Sequence, residues 1–115
     1  MTTVFGKIIA GQIPCEKVFE NERIIAFKDI APAAPVHILI VPKKEIPDLQ
    51  SLKTEDLPLI GEVVQVAQKL AAEFDIEDGY RLLTNNGPGA GQTIFHLHFH
   101  LIGGRRLSHL VLCHA

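Results

Sequence analysis

The sequence predicts an α+β fold with a mainly antiparallel sheet. Three observations lead to this prediction: a long amphipathic segment in mid-chain, three strand-like segments before it, and two more after it. Strands grouped before and after one long helix, without regular alternation of the two, are typical of the α+β class. The 115 residues are about the length of one domain, so we expect a single domain over residues 1–115.

The first elements are a short helix and a hairpin. Apolar residues recur at helical spacing over residues 4–9 after two threonines, and Gly11 stands where such a helix would end. The segments 17–20 and 23–28 then flank an Asn-Glu pair. Two apolar segments joined by so short a polar turn predict a β-hairpin, although Asn-Glu is a weaker turn than Asn-Gly.

A central strand and the long helix follow. After a proline-containing break at 31–35, the continuous apolar run 37–41 predicts a central strand. The long helix should begin near 54–57, because Pro58 is tolerated only in a first turn, and should end near 75–79. Its predicted apolar face comprises Leu57, Ile60, Val63, Val64, Ala67, Leu70, Ala71 and Phe74.

The last elements are two strands separated by a glycine-rich loop. Residues 80–84 predict one strand, and 93–102 predict another that Gly103 and Gly104 terminate. The loop between them, 85–92, holds three of the nine glycines. Such a loop can turn successive backbone N–H groups toward an anion, although it lacks the Gly-Lys-Ser/Thr of a Walker loop. An ordinary flexible loop is the alternative interpretation.

Composition excludes several classes of function. Eleven basic residues against thirteen acidic ones give a net charge of −2, so there is no basic excess to hold a nucleic acid. Cys15 and Cys113 form no C-x-x-C pair, and no apolar run approaches the ~18 residues of a membrane span. With no recognisable signal peptide, we expect a cytoplasmic protein without membrane association. Its apolar composition on so small a domain suggests that a partner subunit covers part of the surface.

Three histidines alternate with apolar residues near the end of the domain. In a strand, His96, His98 and His100 would share one face, while Leu97, Phe99 and Leu101 would face the long helix. Three interpretations remain open from the residues alone. The histidines could form a hydrogen-bonded polar face, supply ligands to zinc, or divide nucleophilic attack, phosphate contact and proton transfer among themselves.

The segment 96–102 resembles the His-x-His-x-His-x-x signature, with x hydrophobic, of the histidine triad (HIT) family. Further segments resemble its nucleotide-binding branch, the Hint proteins, and the similarity extends over about residues 4–105, leaving 106–115 as a tail. The segments that carry it are Phe5-Gly-Lys-Ile-Ile, the stretch from Phe27 to His37, Val41-Pro-Lys-Lys, Gly79-Tyr-Arg and the stretch from Gly91 to His96.

This resemblance implies a fold, an activity and an assembly. Hint proteins have a five-stranded antiparallel sheet with one long and one short helix, and their two sheets join across a homodimer. They hydrolyse bonds at the α-phosphate of purine nucleotides, chiefly nucleoside phosphoramidates and aminoacyl adenylates, through a covalent nucleotidyl-histidine. The expected substrate therefore carries an AMP or GMP moiety, and we predict no cofactor and no metal site.

The resemblance also implies roles for individual residues. His98 matches the nucleophile. His96 and His100 match histidines that contact phosphate or keep the nucleophile aligned, and His37 matches the histidine that tunes the proton on the nucleophile. Asp29 matches the acid that binds ribose, and Thr93 matches a leaving-group contact. The base pocket corresponds to Phe5, Ile8, Phe27 and Ile30, and the other phosphate or leaving-group contacts to Asn85, Gly91 and Gln92.

The chain departs from the family after Arg105. Family members commonly end in a short tail with Trp-Pro-Pro, whereas residues 106–115 contain no tryptophan. The leaving-group preference is therefore open, and His109 and His114 match no family residue. Two alternatives to the phosphoramidase hypothesis remain: a dinucleoside polyphosphate hydrolase and a zinc-binding regulatory or interaction protein.

Overall fold

The computed structural model describes residues 3–108. The predicted α+β class is confirmed, because five strands form one antiparallel sheet in the order β1-β2-β3-β5-β4, accompanied by two α-helices. The elements are α1 Val4–Ile9, β1 Lys17–Glu20, β2 Ile24–Lys28, β3 Val36–Pro42, α2 Leu57–Glu73, β4 Tyr80–Leu83 and β5 Phe99–Gly103.

The long helix α2 packs on one face of the sheet. It begins after a turn in which Asp56 accepts a hydrogen bond from the Lys53 backbone N–H (3.0 Å) and pairs with Lys44. Its buried residues recur at helical spacing and pack against the alternate side chains of β2, β3 and β5. They are Leu59, Val63, Val66, Ala67, Leu70 and Ala71.

The buried face of α2 differs from the predicted one. Leu57 and Val64 were expected in the core, but they are 55% and 41% exposed. Leu59 and Val66 are buried in their place. The apolar residues of α2 cover more than one face, so the contact with the sheet decides which of them are buried. None of the helices within residues 3–108 has the length and apolar character needed to cross a membrane.

The opposite face of the sheet carries a smaller apolar cluster. Phe5 of α1 packs there with Ile25, Phe27, Leu39 and Val41 of the central strands. The side chain of Thr3 caps α1 by accepting a hydrogen bond from Gly6 N–H (3.0 Å), which orients this short helix over the sheet. This face also carries His37 and His100, so it holds the candidate site.

The last strand is shorter than predicted. β5 begins at Phe99, opposite Ile40, and does not extend back to residue 93. Before Phe99 the chain no longer pairs with β3: Leu97 N–H donates instead to Ile46 O, at 2.7 Å. The expected alternation nevertheless holds, since Leu97, Phe99 and Leu101 belong to the cluster under α2.

Candidate functional site

An apolar cavity of about 500 Å³ opens beside the smaller apolar cluster. That volume is in the range of small-molecule sites. Six residues expected at the site on sequence grounds line it: Phe5, Ile8, Phe27, Asp29, Ile30 and His37. Ile30 stands fully exposed at the rim. Leu39, Ile94 and Cys15, which the sequence did not indicate, complete the apolar wall.

The β2–β3 loop places Asp29 and His37 together. Asp29 N–H donates to His37 O at 2.9 Å, and the Asp29 carboxylate accepts a hydrogen bond from Ala31 N–H at 2.8 Å. The other carboxylate oxygen, Oδ2, lies 3.4 Å from Nε2 of the buried His37 ring. The loop therefore presents a carboxylate at the edge of the cavity, held by its own backbone bonds.

His37 and His100 form a hydrogen-bonded pair beneath this loop. His37 Nδ1 accepts a hydrogen bond from Ala33 N–H (2.9 Å), and its Nε2 lies 2.8 Å from His100 Nδ1. Because a backbone N–H can only donate, the proton of neutral His37 is on Nε2 and is donated to His100. The proton of neutral His100 is then on its own Nε2, which makes that atom a hydrogen-bond donor.

His98 has the opposite tautomer. Its Nδ1 lies 2.7 Å from the backbone oxygen of His96, which can only accept, so Nδ1 carries the proton. Neutral His98 therefore has its lone pair on Nε2. The ring packs edge-on against Phe5, with ring centroids 4.8 Å apart, and lies 5.2 Å from the ring of His100. Thr84 Oγ1 donates to His98 O at 2.6 Å and fixes the backbone of this segment.

His96, two residues before His98, is bonded to β3 and not to another histidine ring. Its Nε2 donates to Pro42 O at 2.7 Å, so its ring ties the histidine segment to the end of β3. The ring is completely buried. Of the two roles that the resemblance implies for His96, alignment of the nucleophile agrees better with this bond than phosphate contact does.

The glycine-rich loop is braced from within. Gln92 is buried: its Oε1 accepts from Gly87 N–H at 2.8 Å, and its Nε2 donates to Pro47 O at 2.9 Å and to Ile94 O. Both ends of the amide thus hold the loop together. The phosphate or leaving-group contact expected of Gln92 stays a prediction. Gly91 has a φ of +96°, a left-handed conformation that glycine adopts without strain.

The expected phosphate contacts of this loop remain predictions. Asn85, Gly91 and Thr93 belong to the segment that precedes the histidines and are not part of the cavity wall. The amide nitrogen of Asn85 is buried, and no acceptor within residues 3–108 lies in hydrogen-bond reach of it. A buried donor of this kind is available to an anionic ligand.

The histidines do not present a favourable zinc site within the described part of the chain. Within residues 3–108, Asp29, His37 and His100 form the only group of three or more potentially metal-ligating residues whose potential ligand atoms all lie within 4.8 Å of one another. Two histidine nitrogens bound tetrahedrally to one Zn²⁺, each 2.0–2.1 Å away, would be about 3.3 Å apart. The 2.8 Å between His37 Nε2 and His100 Nδ1 suits a hydrogen bond instead.

Burial sets the ionisation of two groups at the site. It lowers the pKa of His37, against a smaller opposing effect of the Asp29 carboxylate, so His37 stays neutral to lower pH than an ordinary histidine. Burial likewise raises the pKa of the Cys15 thiol. Cys15 is therefore a neutral part of the apolar wall and not a reactive thiolate. Cys113, His109 and His114 lie outside the described residues.

Sequence inspection missed the groups that orient the histidines. Ala33 acts through a backbone N–H on His37, four residues later, and Thr84 through a hydroxyl on His98 O, 14 residues later. Arg105 Nη2 donates to Ala33 O at 2.9 Å, across 72 residues of chain. Neither Ala33 nor Thr84 has a local pattern that would have revealed it. The only signal for Arg105 was its place directly after the Gly-Gly pair.

Comparison with known proteins identifies the family. A model of the HIT domain matches residues 10–107. The chain belongs to the HIT family. A HIT-like protein of Chlamydia pneumoniae is 57% identical to it over 106 residues, covering 92% of this chain and 96% of the relative.

Solved HIT structures have the same fold. The HIT family hydrolase from Clostridium thermocellum superposes with a TM-score of 0.92 at 44% identity, covering 96% of this chain and 97% of that one. The HIT family hydrolase from Legionella pneumophila gives 0.90 at 42%, covering 92% and 96%. The chain therefore has the fold of HIT family hydrolases.

Proposed function

We propose that this HIT protein is a purine nucleotide hydrolase of the Hint type. It would cleave at the α-phosphate of nucleoside phosphoramidates or aminoacyl adenylates, through a nucleotidyl group held covalently on His98. One observation carries the proposal: the Nδ1 proton of His98 is held by a backbone oxygen, so its lone pair is on Nε2. An imidazole in this tautomer can attack phosphorus without a separate base.

The proposed reaction has two steps. In the first, His98 Nε2 attacks the α-phosphorus, a P–Nε2 bond forms, and the bond from phosphorus to the leaving nitrogen or oxygen breaks with its electron pair. The leaving group takes a proton from solvent as it departs, while Thr93 and His100 donate hydrogen bonds to it or to the phosphate. In the second step, water attacks phosphorus and releases a proton to solvent, the P–Nε2 bond breaks with its electron pair returning to Nε2, and neutral His98 is regenerated with the nucleoside monophosphate as product.

His100 suits the charge that develops during these steps. The relay from Ala33 through His37 leaves the proton of His100 on Nε2, as an N–H donor whose ring lies 5.2 Å from that of His98. A preorganised donor beside the reacting phosphate stabilises negative charge in the transition state. The two neighbouring rings therefore have complementary properties, one with a lone pair and one with a donor.

The cavity supports binding of a nucleoside. Its wall of Phe5, Phe27 and Leu39 offers an apolar surface for a purine, and the exposed Ile30 at the rim would be covered by it. Asp29 stands at the edge with a carboxylate that could accept both ribose hydroxyls. The buried amide of Asn85, with the backbone of the glycine-rich loop, would contact phosphate.

We also propose that the chain forms a homodimer. Leu57 and Val64 on the outer face of α2 are exposed apolar side chains, and β4 is an edge strand of the sheet. A second copy could cover both. Light scattering at micromolar concentration should give about twice the chain mass of 12.7 kDa, and a species of 12.7 kDa alone would contradict the proposal.

The activity is tested by trapping the intermediate. The protein, purified without added metal, is mixed with adenosine 5′-phosphoramidate, quenched in acid and analysed by mass spectrometry. We expect turnover to AMP and an adenylyl adduct on the peptide that contains His98. Dinucleoside polyphosphates are offered in parallel, and their preferential cleavage would favour the polyphosphate hydrolase alternative. Absence of turnover together with stoichiometric bound zinc would favour the zinc-binding alternative.

A further inference from the structure

The tautomer relay depends on the position of one loop residue. Ala33 N–H fixes the proton of His37 on Nε2, and His37 in turn fixes the proton of His100. Ala33 lies in mid-loop, between Asp29, which is bonded to His37 O, and Val36, which pairs with Gly103 of β5. Both ends of the loop are thus attached to the sheet, but neither attachment holds Ala33 itself.

The turn after β5 holds the middle of the loop. Arg105 Nη2 donates to Ala33 O at 2.9 Å, across 72 residues of chain, while its Nη1 donates to Arg106 O at 3.0 Å. Gly104, with a φ of +95°, lets the turn approach the loop closely, because a Cβ there would lie 3.0 Å from the Pro35 Cβ. The guanidinium is exposed, but it bonds the residue whose N–H reaches the buried His37.

We propose that Arg105 is a positioning residue for the His37–His100 pair. By holding Ala33 O, it keeps Ala33 N–H on His37 Nδ1, and so keeps the proton of His100 on Nε2. Arg105 acts on the pair through the loop that carries Ala33. The expected effect of Arg105 on turnover rests on the proposed function, whereas its expected effect on the tautomers of His37 and His100 does not.

Loss of Arg105 should change how His37 takes up protons. With Ala33 N–H in place, Nδ1 of His37 cannot accept a proton unless the loop moves. The groups that face the ring are the carboxylate of Asp29 at 3.4 Å and His100 Nδ1 at 2.8 Å. The Asp29 carboxylate favours the protonated ring, so a loosened loop should let His37 protonate at higher pH.

The first test measures the rings directly. Arg105→Met retains much of the aliphatic stem but removes both donors, and Arg106→Met is the matched control. Arg106 follows in the same turn, and within residues 3–108 its side chain makes no hydrogen bond or ion pair. Long-range ¹H–¹⁵N NMR of the imidazoles should show the Nε2–H tautomer of His37 in wild type and in Arg106→Met. In Arg105→Met we expect mixed tautomers and a rise in the pKa of His37.

The second test measures turnover of adenosine 5′-phosphoramidate. Arg105→Met should lower kcat by about 3- to 30-fold with little change in KM, and should move the acid limb of the pH profile to higher pH. Arg105→Lys, which keeps a cationic donor, should show a smaller loss of kcat and a smaller shift of the acid limb than Arg105→Met. In a His37→Ala background, Arg105→Met should cost less than twofold, because its effect passes through His37.

The outcomes separate the two proposals. Wild-type tautomers and an unchanged His37 pKa in Arg105→Met would overturn the role of Arg105, whatever the activity. An equal kcat loss with and without His37 would overturn it too. If wild type does not turn over phosphoramidates, the proposed function fails, while the NMR comparison still decides the role of Arg105. If Arg105→Met does not fold, the same spectra of Arg105→Gln, whose shorter side chain also lacks the guanidinium, decide the role of Arg105. Tautomers and a His37 pKa identical to wild type in that variant would contradict the proposal.

Discussion

His98 and His100 are two residues apart, yet the proton on each ring is held in a different way. His98 Nδ1–H is held by the backbone oxygen of His96, two residues earlier in the chain. His100 receives its hydrogen bond from His37, 63 residues away, which is itself held by Ala33. The first arrangement is local, whereas the second requires β3, β5 and the β2–β3 loop in register.

The tautomers of His98 and His100 should therefore respond differently to mutations elsewhere in the protein. The tautomer of His98 should survive changes elsewhere in the protein as long as the His96–His98 backbone keeps its shape, which Thr84 supports. The tautomer of His100 can be disturbed from the surface, through the loop that carries Ala33. The four predictions below test this contrast, in order of decreasing effect.

Replacing His98 should have the largest effect. His98→Ala removes the attacking lone pair, so kcat should fall by about 10⁴–10⁶, as for other covalent nucleophiles. AMP should still bind, because the cavity and Asp29 remain. Stopped-flow or discontinuous assays measure kcat, and calorimetry measures AMP binding. An active His98→Ala enzyme would remove His98 from the mechanism.

Replacing His37 should have a smaller effect, because it acts through its neighbour. His37→Ala leaves the lone pair of His98 intact but removes the donor to His100 Nδ1, so kcat should fall by about 10²–10³. Thr93→Ala should also be only partly impaired. Acid-quenched samples of His37→Ala should still contain the His98 adduct. A loss of kcat as large as that of His98→Ala would mean that the His37–His100 hydrogen bond is as important to the reaction as His98 itself.

Replacing Asp29 should affect binding more than chemistry. Asp29→Ala removes the proposed charge-assisted hydrogen bonds to ribose and should weaken AMP binding by about 1.5–3 kcal/mol in calorimetry. Asp29→Asn is the control for loop shape, because its side-chain oxygen can still accept from Ala31 N–H. If Asn restores wild-type affinity, the carboxylate supports the loop and not the ribose. Deoxyribose analogues should lose affinity with wild type and much less with Asp29→Ala.

The smallest effect concerns stability against pH. Burial lowers the pKa of His37 in the folded protein, so between the unfolded value of about 6.5 and the lower folded value the unfolded chain binds more protons. The free energy of unfolding should therefore decrease as pH falls through this window. Urea titrations at several pH values should show a weaker decrease for His37→Gln than for wild type. An identical pH dependence in the two proteins would mean that His37 is not titrating differently on folding.

The fold was largely predictable because its signals are local. Helical spacing indicated α1 and α2, the short turn indicated the β1–β2 hairpin, and Gly103-Gly104 indicated the end of the last strand. The alternation of His96–Leu101 correctly predicted which side chains would face α2. The expected carboxylate and aromatic residues meet with His37 at one cavity. It was the resemblance to HIT proteins, more than spacing, that singled out Asp29 and Phe5.

Several features were decided only by tertiary contacts. Residues 93–98 have the alternation of a strand, but their backbone bonds go outside the ladder, as Leu97 N–H to Ile46 O shows. The buried amide of Gln92 accepts from Gly87 N–H and donates to Pro47 O, which lies 45 residues away in the chain, so no local pattern indicated this role. The sequence by itself determined the helices, the hairpin and the faces of the alternating residues, because these depend on neighbours a few positions apart. The tautomer of His100 depends on a hydrogen bond from His37, which lies 63 residues away and which only the folded chain brings within 2.8 Å, so the tertiary structure alone decided it.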